Sequence, residues 1–473
     1  MNGRGNAQDP ESDLRDIILG HILGLKFGLA DSLTTNAGKN PGMGPDVIYL
    51  RNYLEFLDAL VAGDRYRYER YLAGASARLD TLRSRYTLVN RQPALIAAIH
   101  LQSSFLNAFQ DDHFKAARNF FVARRYYQQA ESSSPGDPLN DKLGGLIQLI
   151  AGMAPADYQW LMNIFGIRGD IRLGAEKLAA YHESTSGAEK TESRLILFYA
   201  RQLSGQEMPG LQQKCMGDTA TLQRYFLAYH ALRSGQSRKV IELLDSWHQA
   251  PGEADFAYPD LLLGEALLDN RQPGAGDKLI QFLDRTQGKH LVKTAWHKLS
   301  WYHFLEGNMA AYYMARDSVL EKGSMILDSD KQAFREASED GLPNAALLRS
   351  RLLFDGGDYQ GSSDMLQEIR PGELARSRDS LEYVYRQARI ADCLGKREEA
   401  ISKYQEVMQA GRETTWYFPS NAALHLGMIH EAMGDTVRAI DSYQACLKIN
   451  RSAYRNSIGN QAKLGIRRLN QDR

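Results

Sequence analysis

The chain has 473 residues, and its 57 Lys and Arg balance 57 Asp and Glu to give a formal net charge of zero. That balance excludes a bulk electrostatic ligand for nucleic acid or anionic membrane, which needs a basic excess or stripe. With 43% apolar and 24% charged residues the composition is that of a folded, core-building protein, and the length suits about three domains of ~150 residues or one elongated repeat array.

Met1–Asp9 is polar and Gly-rich, and residues 1–12 are expected to be disordered. Asn6-Ala7-Gln8 is similar to the cleavage junction of exported bacterial proteins. The start therefore reads either as trimmed behind a signal peptide, which implies the periplasm or cell envelope, or as a frayed cytoplasmic N-terminus. Cys215, Cys393 and Cys446 are too few and too far apart for a disulfide framework, a zinc pattern or a haem site. The longest apolar stretch, 143–154, is interrupted by Gln148 and is well short of the ~18 residues of a membrane span.

Helical pairs are predicted in chain order over Asp13–Ala37, Asp46–Arg85 with an elbow at Gly63-Asp64, and Pro93–Glu131 turning at Asp111-Asp112. Residues 13–131 form a degenerate N-terminal repeat region. Ser132–Pro138, dense in turn residues, is the clearest linker. A middle repeat region follows at 139–322, then an insertion, Ser324–Pro343, expected to add a turn of helix or a loop. The C-terminal repeats occupy 342–473.

The repeat signal is a Gly, usually followed by a small polar residue, between two amphipathic runs. It occurs at Gly169-Asp170, Gly205-Gln206, Gly235-Gln236, Gly307-Asn308, Gly357-Asp358, Gly395-Lys396 and Gly434-Asp435. From Gly205 the steps are 30, 72, 50, 38 and 39 residues, and the 72 halves if Asn270-Arg271-Gln272 is a Gly-less elbow. Gly ends a helix in the left-handed conformation, and the next Asp or Asn caps the following helix. Ala422, Ala423, Leu426, Ile429, His430 and Met433 form one apolar stripe, and Val437, Ile440, Tyr443, Cys446 and Leu447 form the next. The last helix, Ser452–Asn470, carries Ile458, Ala462, Ile466 and Leu469 on one face and Arg467-Arg468 on the other, as an end cap should.

The unit 420–451 closely resembles a tetratricopeptide repeat, through Leu426-Gly427, His430, Gly434-Asp435, Ala439, Tyr443 and Cys446, with Arg451 where that family has a closing Pro. The unit around Gly395 fits through Ala388, Ala391, Ala400 and Tyr404. Earlier units depart from the pattern, since Val240 and Tyr312 fill a slot that should be small. A second resemblance, to the tetratricopeptide-repeat-protein-39 family, rests on 163–170 with Leu173-Gly174 and Leu178, and on the Pro-led helix start at 418–424. These resemblances imply an all-α fold: an α-α superhelix of stacked helical hairpins with a C-terminal capping helix and no catalytic centre.

No coherent chemistry appears in the residues. His425 and His430 lie ~140° apart around a helix and His297 and His303 ~120° apart, so neither pair shares a metal-binding face. Asp111-Asp112-His113 reads as a capping turn. Gly38-Lys39 lacks the rest of a phosphate loop, and Asn450-Arg451-Ser452 matches a glycosylation triplet of the kind that arises by chance. Arg65–Tyr71 interleaves Arg and Tyr as nucleic-acid binders do. Its Tyr68, Tyr71, Leu72, Ala75, Leu79 and Leu82 nevertheless form a plain helical stripe with a wet arginine face. No catalytic residue, metal or cofactor is assigned, and neither a nucleic-acid partner nor a membrane span is expected.

By the first resemblance, the first helix of each hairpin lines a concave groove, and its outward slots hold Tyr225, Tyr229, His297, Trp301, Arg351, Tyr385 and Arg389. Aromatic and Arg side chains dominate binding hot spots. Leu424 and Met428 occupy the slots where carboxylate-binding members carry polar residues, so a chaperone tail is not the expected ligand. The leading expectation is a non-enzymatic scaffold for a protein or peptide. Two alternatives stand beside it, a small-molecule or enzyme pocket at the Ser132–Pro138 junction and a self-associating array.

Overall fold

The computed structural model describes residues 10–39, 44–153, 169–203, 221–370, 372, 374, 376–449 and 455–471. The elements among them are α-helices, twenty-three in number. The chain forms two compact units. The first comprises Met1–Leu227, Trp247–Phe256 and Thr286–Gly288, and the second Ala228–Ser246, Ala257–Arg285 and Lys289–Arg473. The expected N-terminal region, 13–131, lies whole in the first unit and the C-terminal repeats, 342–473, whole in the second, but the expected middle region, 139–322, is divided between the two, and the Ser132–Pro138 turn lies inside the first.

The first unit contains α1 (Pro10–Leu23), α2 (Phe27–Ala37), α3 (Gly44–Ala62), α4 (Arg65–Arg85), α5 (Gln92–Phe109), α6 (His113–Ser133), α7 (Pro138–Met153), α8 (Ile171–Ser184) and α9 (Gly187–Leu203). The predicted pairs are α1/α2, α3/α4 and α5/α6, each packed as a hairpin. Helix α5 buries every residue from Ala94 to Leu101 and packs against α3, α4, α6 and α7, as a helix buried on all sides must. Tyr68, Tyr71, Ala75, Leu79 and Leu82 of α4 enter that core. The arginines they leave outside are neutralised locally: Arg65 pairs with Glu69, Arg67 with Asp64 and Asp58, and Arg70 with Asp58. At the next elbow Asp111 adopts φ 65° and Asp112 accepts from the Lys115 amide, so the Asp-Asp-His run is a capping turn as expected.

Helix α10 (Thr221–Arg233) begins in the first unit. The second unit continues with α11 (Ser237–Leu244), α12 (Tyr258–Asp269), α13 (Ala275–Arg285), α14 (Val292–Leu305), α15 (Met309–Glu321), α16 (Asp328–Ser338), α17 (Ala345–Asp355), α18 (Tyr359–Gln367), α19 (Ser377–Cys393), α20 (Arg397–Ala410), α21 (Phe418–Ala432), α22 (Thr436–Ile449) and α23 (Arg455–Gln471). Five hairpins are built from α12/α13, α14/α15, α17/α18, α19/α20 and α21/α22. Their first helices also touch along the row, α12 against α14 and α17, α17 against α19, and α19 against α21.

Most of the elbows work as the sequence implies, although Gly169 is not left-handed and Gln236 and Lys396 make no side-chain cap. Gly307 and Gly434 sit at φ 77° and 75°, and Asn308 and Asp435 accept from the amides of Ala311 and Arg438. The Gly-less elbow is real, and Arg271 itself takes φ 54° there. At the end, Ile458, Ala462 and Leu469 of α23 bury against α21 and α22 while Arg468 reaches back to Glu431. The insertion is more than a turn. It contains the eleven-residue α16, which packs on α14 and α15. The 163–168 motif, Gly205, Cys215 and the 450–452 triplet lie outside the described residues.

Candidate functional site

Helix α16 is fastened to α14 through Asp330, whose carboxylate accepts from the Leu291 and Thr294 amides and the Thr294 hydroxyl. An acidic side chain at a helix N-terminus satisfies otherwise orphaned amides and meets the positive end of the dipole. Two turns further along α16, Glu336 is thereby brought to the first helices of the hairpins. It pairs with Arg351 of α17 at 3.0 Å, with Arg378 at 3.5 Å and with His297 of α14 at 3.5 Å. Arg378 continues the chain to Glu339 at 3.0 Å and Glu382 at 3.2 Å, and Glu382 binds Arg386 at 3.0 Å. Arg386 then donates to the Tyr417 hydroxyl at 3.4 Å.

Aromatic rings form the walls of this network. His297 and Trp301, four residues apart, hold their ring centroids 4.5 Å from each other, and the Arg351 guanidinium lies 4.6 Å from the Trp301 centroid. Tyr385 packs on Tyr417 and Phe418, and its hydroxyl accepts from Asn421 at 2.6 Å. Arg389 lies over Phe354 and bonds His425 Nε2, while its own Nε, buried, has no partner among the described residues.

The seven groove residues expected from the sequence therefore separate. His297, Trp301, Arg351, Tyr385 and Arg389 come together on the first helices of the second unit. Tyr225 belongs to the first unit, where it packs on Phe256 at 4.9 Å. Tyr229 stands open at 37% exposure, whereas His297, Trp301 and Tyr385 are 8%, 4% and 2% exposed. The expectation of seven open contact residues is corrected accordingly. Those three fill the interior because the row of first helices closes tightly, to the point that a Cβ on Gly356 of the α17 elbow would lie 3.2 Å from Asp269 of α12. The sequence reading missed Glu336, Asp330, Arg378, Glu382 and Arg386. One signal was available, since Arg378, Glu382 and Arg386 recur every fourth residue on one face of α19.

Electrostatics follow from burial. Burial alone would push the Glu336 carboxyl up, but Arg351, Arg378 and His297 hold it well below the usual carboxylate range. Burial, with Arg351 and Lys298 adding to it against the pull of Glu336, brings His297 down to about 4. An unfolded histidine binds its proton near pH 6.5, and the folded one does not until about pH 4. Lowering the pH between these values protonates the unfolded state alone, so stability falls with pH across that window. His297→Gln is expected to flatten the pH dependence of the unfolding free energy, measured by urea titration, between pH 6.5 and 4, by a few kcal/mol at most. A variant whose pH dependence matches that of the parent would show that His297 does not carry the effect.

Among the described residues no group of three His, Cys, Asp or Glu could hold a metal ion, and no helix is long and apolar enough to cross a membrane. Fold and site together define an all-α helical-repeat protein whose hairpins stack on a row of first helices joined by a buried Arg–Glu–aromatic network. No family model matches the chain, and no curated protein sequence does. Among solved structures the chain is similar to the TPR domain of P58(IPK), at 13% identity over 89% of this chain and 97% of that one, with a TM-score of 0.23. It is also similar to the APC/C hetero-tetramer Cut9-Hcn1, at 12% identity over 98% of this chain and 97% of that one, with a TM-score of 0.26. Overlays at those scores are loose, and the repeat fold rests on the hairpin packing described above. The narrower resemblance to the tetratricopeptide-repeat-protein-39 family is not confirmed.

Proposed function

We propose that the chain is a non-enzymatic helical-repeat scaffold that binds a protein or peptide partner along the first helices of its second unit. The observation that carries this reading is the placement there of Trp301, Arg351, Tyr385 and Arg389, drawn from three helices and each held by a polar or cation–π contact. A network of this kind holds side chains in fixed rotamers, and a rigid surface loses little entropy when a partner docks. Contact with the partner falls to the exposed members of the same slots, Tyr229 and Met428, each 37% exposed. A double Tyr229→Ala, Met428→Ala variant is expected to keep the helical circular-dichroism spectrum and to recover at least about tenfold less of a specific partner in affinity purification, as loss of a hot spot requires. Equal recovery of every partner by parent and variant would reject this surface.

A further inference from the structure

A second polar cluster lies in the first unit, where α4, α5 and α6 meet. His100 of α5 accepts from Arg83 of α4 through Nε2 at 3.1 Å, because a guanidinium can only donate. Its Nδ1 therefore carries the proton and donates to Asn119 Oδ1 of α6 at 2.8 Å. The imidazole is a neutral bracket that orients Arg83 rather than a charge. Tyr126 stacks parallel to that imidazole at 6.3 Å and has two guanidiniums near its ring, Arg83 at 5.9 Å and Arg125 at 5.5 Å from its centroid. Arg118 lies seven residues before Arg125, on the same face of α6. Burial keeps the His100 proton affinity low, the hydrogen bond to Asn119 opposes it, and the charges of Arg83, Arg118 and Arg125 add to the lowering.

The charges are not balanced. Asp80, exposed, approaches Arg83 at 3.7 Å, and among the described residues neither Arg118 nor Arg125 pairs with a carboxylate. Three guanidiniums against one carboxylate leave an excess of two positive charges. Beside Arg125 opens a surface hollow of about 560 Å³, lined further by Gln128, Gln129, Ser132 and Ser133, all neutral and polar.

We propose that Arg83, Arg118 and Arg125 form a binding site for a phosphomonoester, with the hollow beside Arg125 taking the group that carries it. A phosphomonoester has nearly two negative charges at neutral pH and three equivalent acceptor oxygens, matching both the charge excess and the forked donors of arginine. A carboxylate would neutralise half of the excess. The site is on a different unit from the proposed partner surface and stands or falls independently of it.

The test is a titration of the intact protein, followed through the His100 imidazole resonances, with inorganic phosphate, a phosphoserine peptide, the same peptide unphosphorylated, and acetate at matched ionic strength. Saturable binding of the two phosphates is expected, with an upward shift of the His100 titration because the anion offsets the arginine charges. The solvent-facing Arg118→Ala, Arg125→Ala double variant, which leaves the His100–Asn119 bond and the core in place, is expected to weaken that binding at least about tenfold. Tighter binding of the phosphopeptide than of inorganic phosphate identifies a protein-borne ligand, and equal binding identifies a free phosphate; either supports the site. A response to acetate or to the unphosphorylated peptide as strong as that to phosphate, no saturable response, or an unchanged affinity in the double variant overturns it.

Discussion

Glu336→Ala is expected to destabilise the second unit by about 3–5 kcal/mol, the cost of removing one partner from a buried ion pair and leaving the other charge behind. The reason is positional. Glu336 is 9% exposed and is the shared acceptor for Arg351 and Arg378, which are 14% and 12% exposed, so neither guanidinium can recover its lost interaction by turning to water. Arg351 also lies on the Trp301 ring, which limits its freedom to move away. Urea unfolding followed by tryptophan fluorescence measures the effect, since Trp296 and Trp301 both lie on α14. Glu339→Ala provides the contrast. Its carboxylate is 25% exposed and contacts Arg378, which keeps Glu336 and Glu382, so about 1 kcal/mol is expected there. If Glu336→Ala costs no more than Glu339→Ala, the network does not hold these helices together.

Tyr443→Ala is expected to cost a similar 3–5 kcal/mol through the cavity left by a large core side chain. Tyr443 is 1% exposed and wedged between two glycines: a Cβ on Gly427 of α21 or on Gly465 of α23 would lie 2.5 Å from its ring. Its hydroxyl donates to Glu431 at 2.6 Å, and Glu431 in turn is gripped by Arg468 of the cap helix. Removing the ring therefore empties the joint between the last hairpin and the cap and leaves Glu431 with one partner fewer. Tyr443→Phe retains the packing and should lose only about 1 kcal/mol, the worth of one hydrogen bond. Hydrogen exchange over α23 is expected to rise in Tyr443→Ala and to change little in Tyr443→Phe. A stability loss below about 1 kcal/mol in the alanine variant would show that the cap is held elsewhere.

The aromatic ring at Tyr443 and the small residue at Gly427 were each readable from the repeat pattern, because both lie in one hairpin; that the ring packs on that glycine is seen in the folded helices. The elbows were readable for the same reason. A left-handed residue followed by a capping Asp or Asn is a local device, and Gly307-Asn308, Gly357-Asp358 and Gly434-Asp435 all act as that device. Periodicity likewise marked the buried stripe of α4 and most of those of α21 and α22, whereas Met433 and Val437, which flank the elbow, stand 50% and 61% exposed because the turn carries them out of the packed faces.

Helix α16 shows where such reading stops. Its sequence, Asp328 to Ser338, is polar and breaks the repeat step, so it looked like an insertion with no task. Its two decisive carboxylates act on residues far along the chain, Asp330 on Thr294 and Glu336 on His297, Arg351 and Arg378. Arg83, His100 and Asn119 are similarly scattered over three helices and become a cluster only when α4, α5 and α6 pack.

The amino-acid order alone was sufficient for the hairpin helices, most of their elbows and buried stripes and the end cap, though not for α16, because each of the former follows from backbone conformation and side-chain spacing within about forty residues. Whether Trp301 or Tyr385 meets a partner or a neighbouring helix, and whether a guanidinium is matched by a carboxylate, depended on which helix faces came within a few ångströms of each other. The same Arg and Glu are cheaply hydrated on an open helix and strongly coupled once water is removed, and no local spacing records that difference.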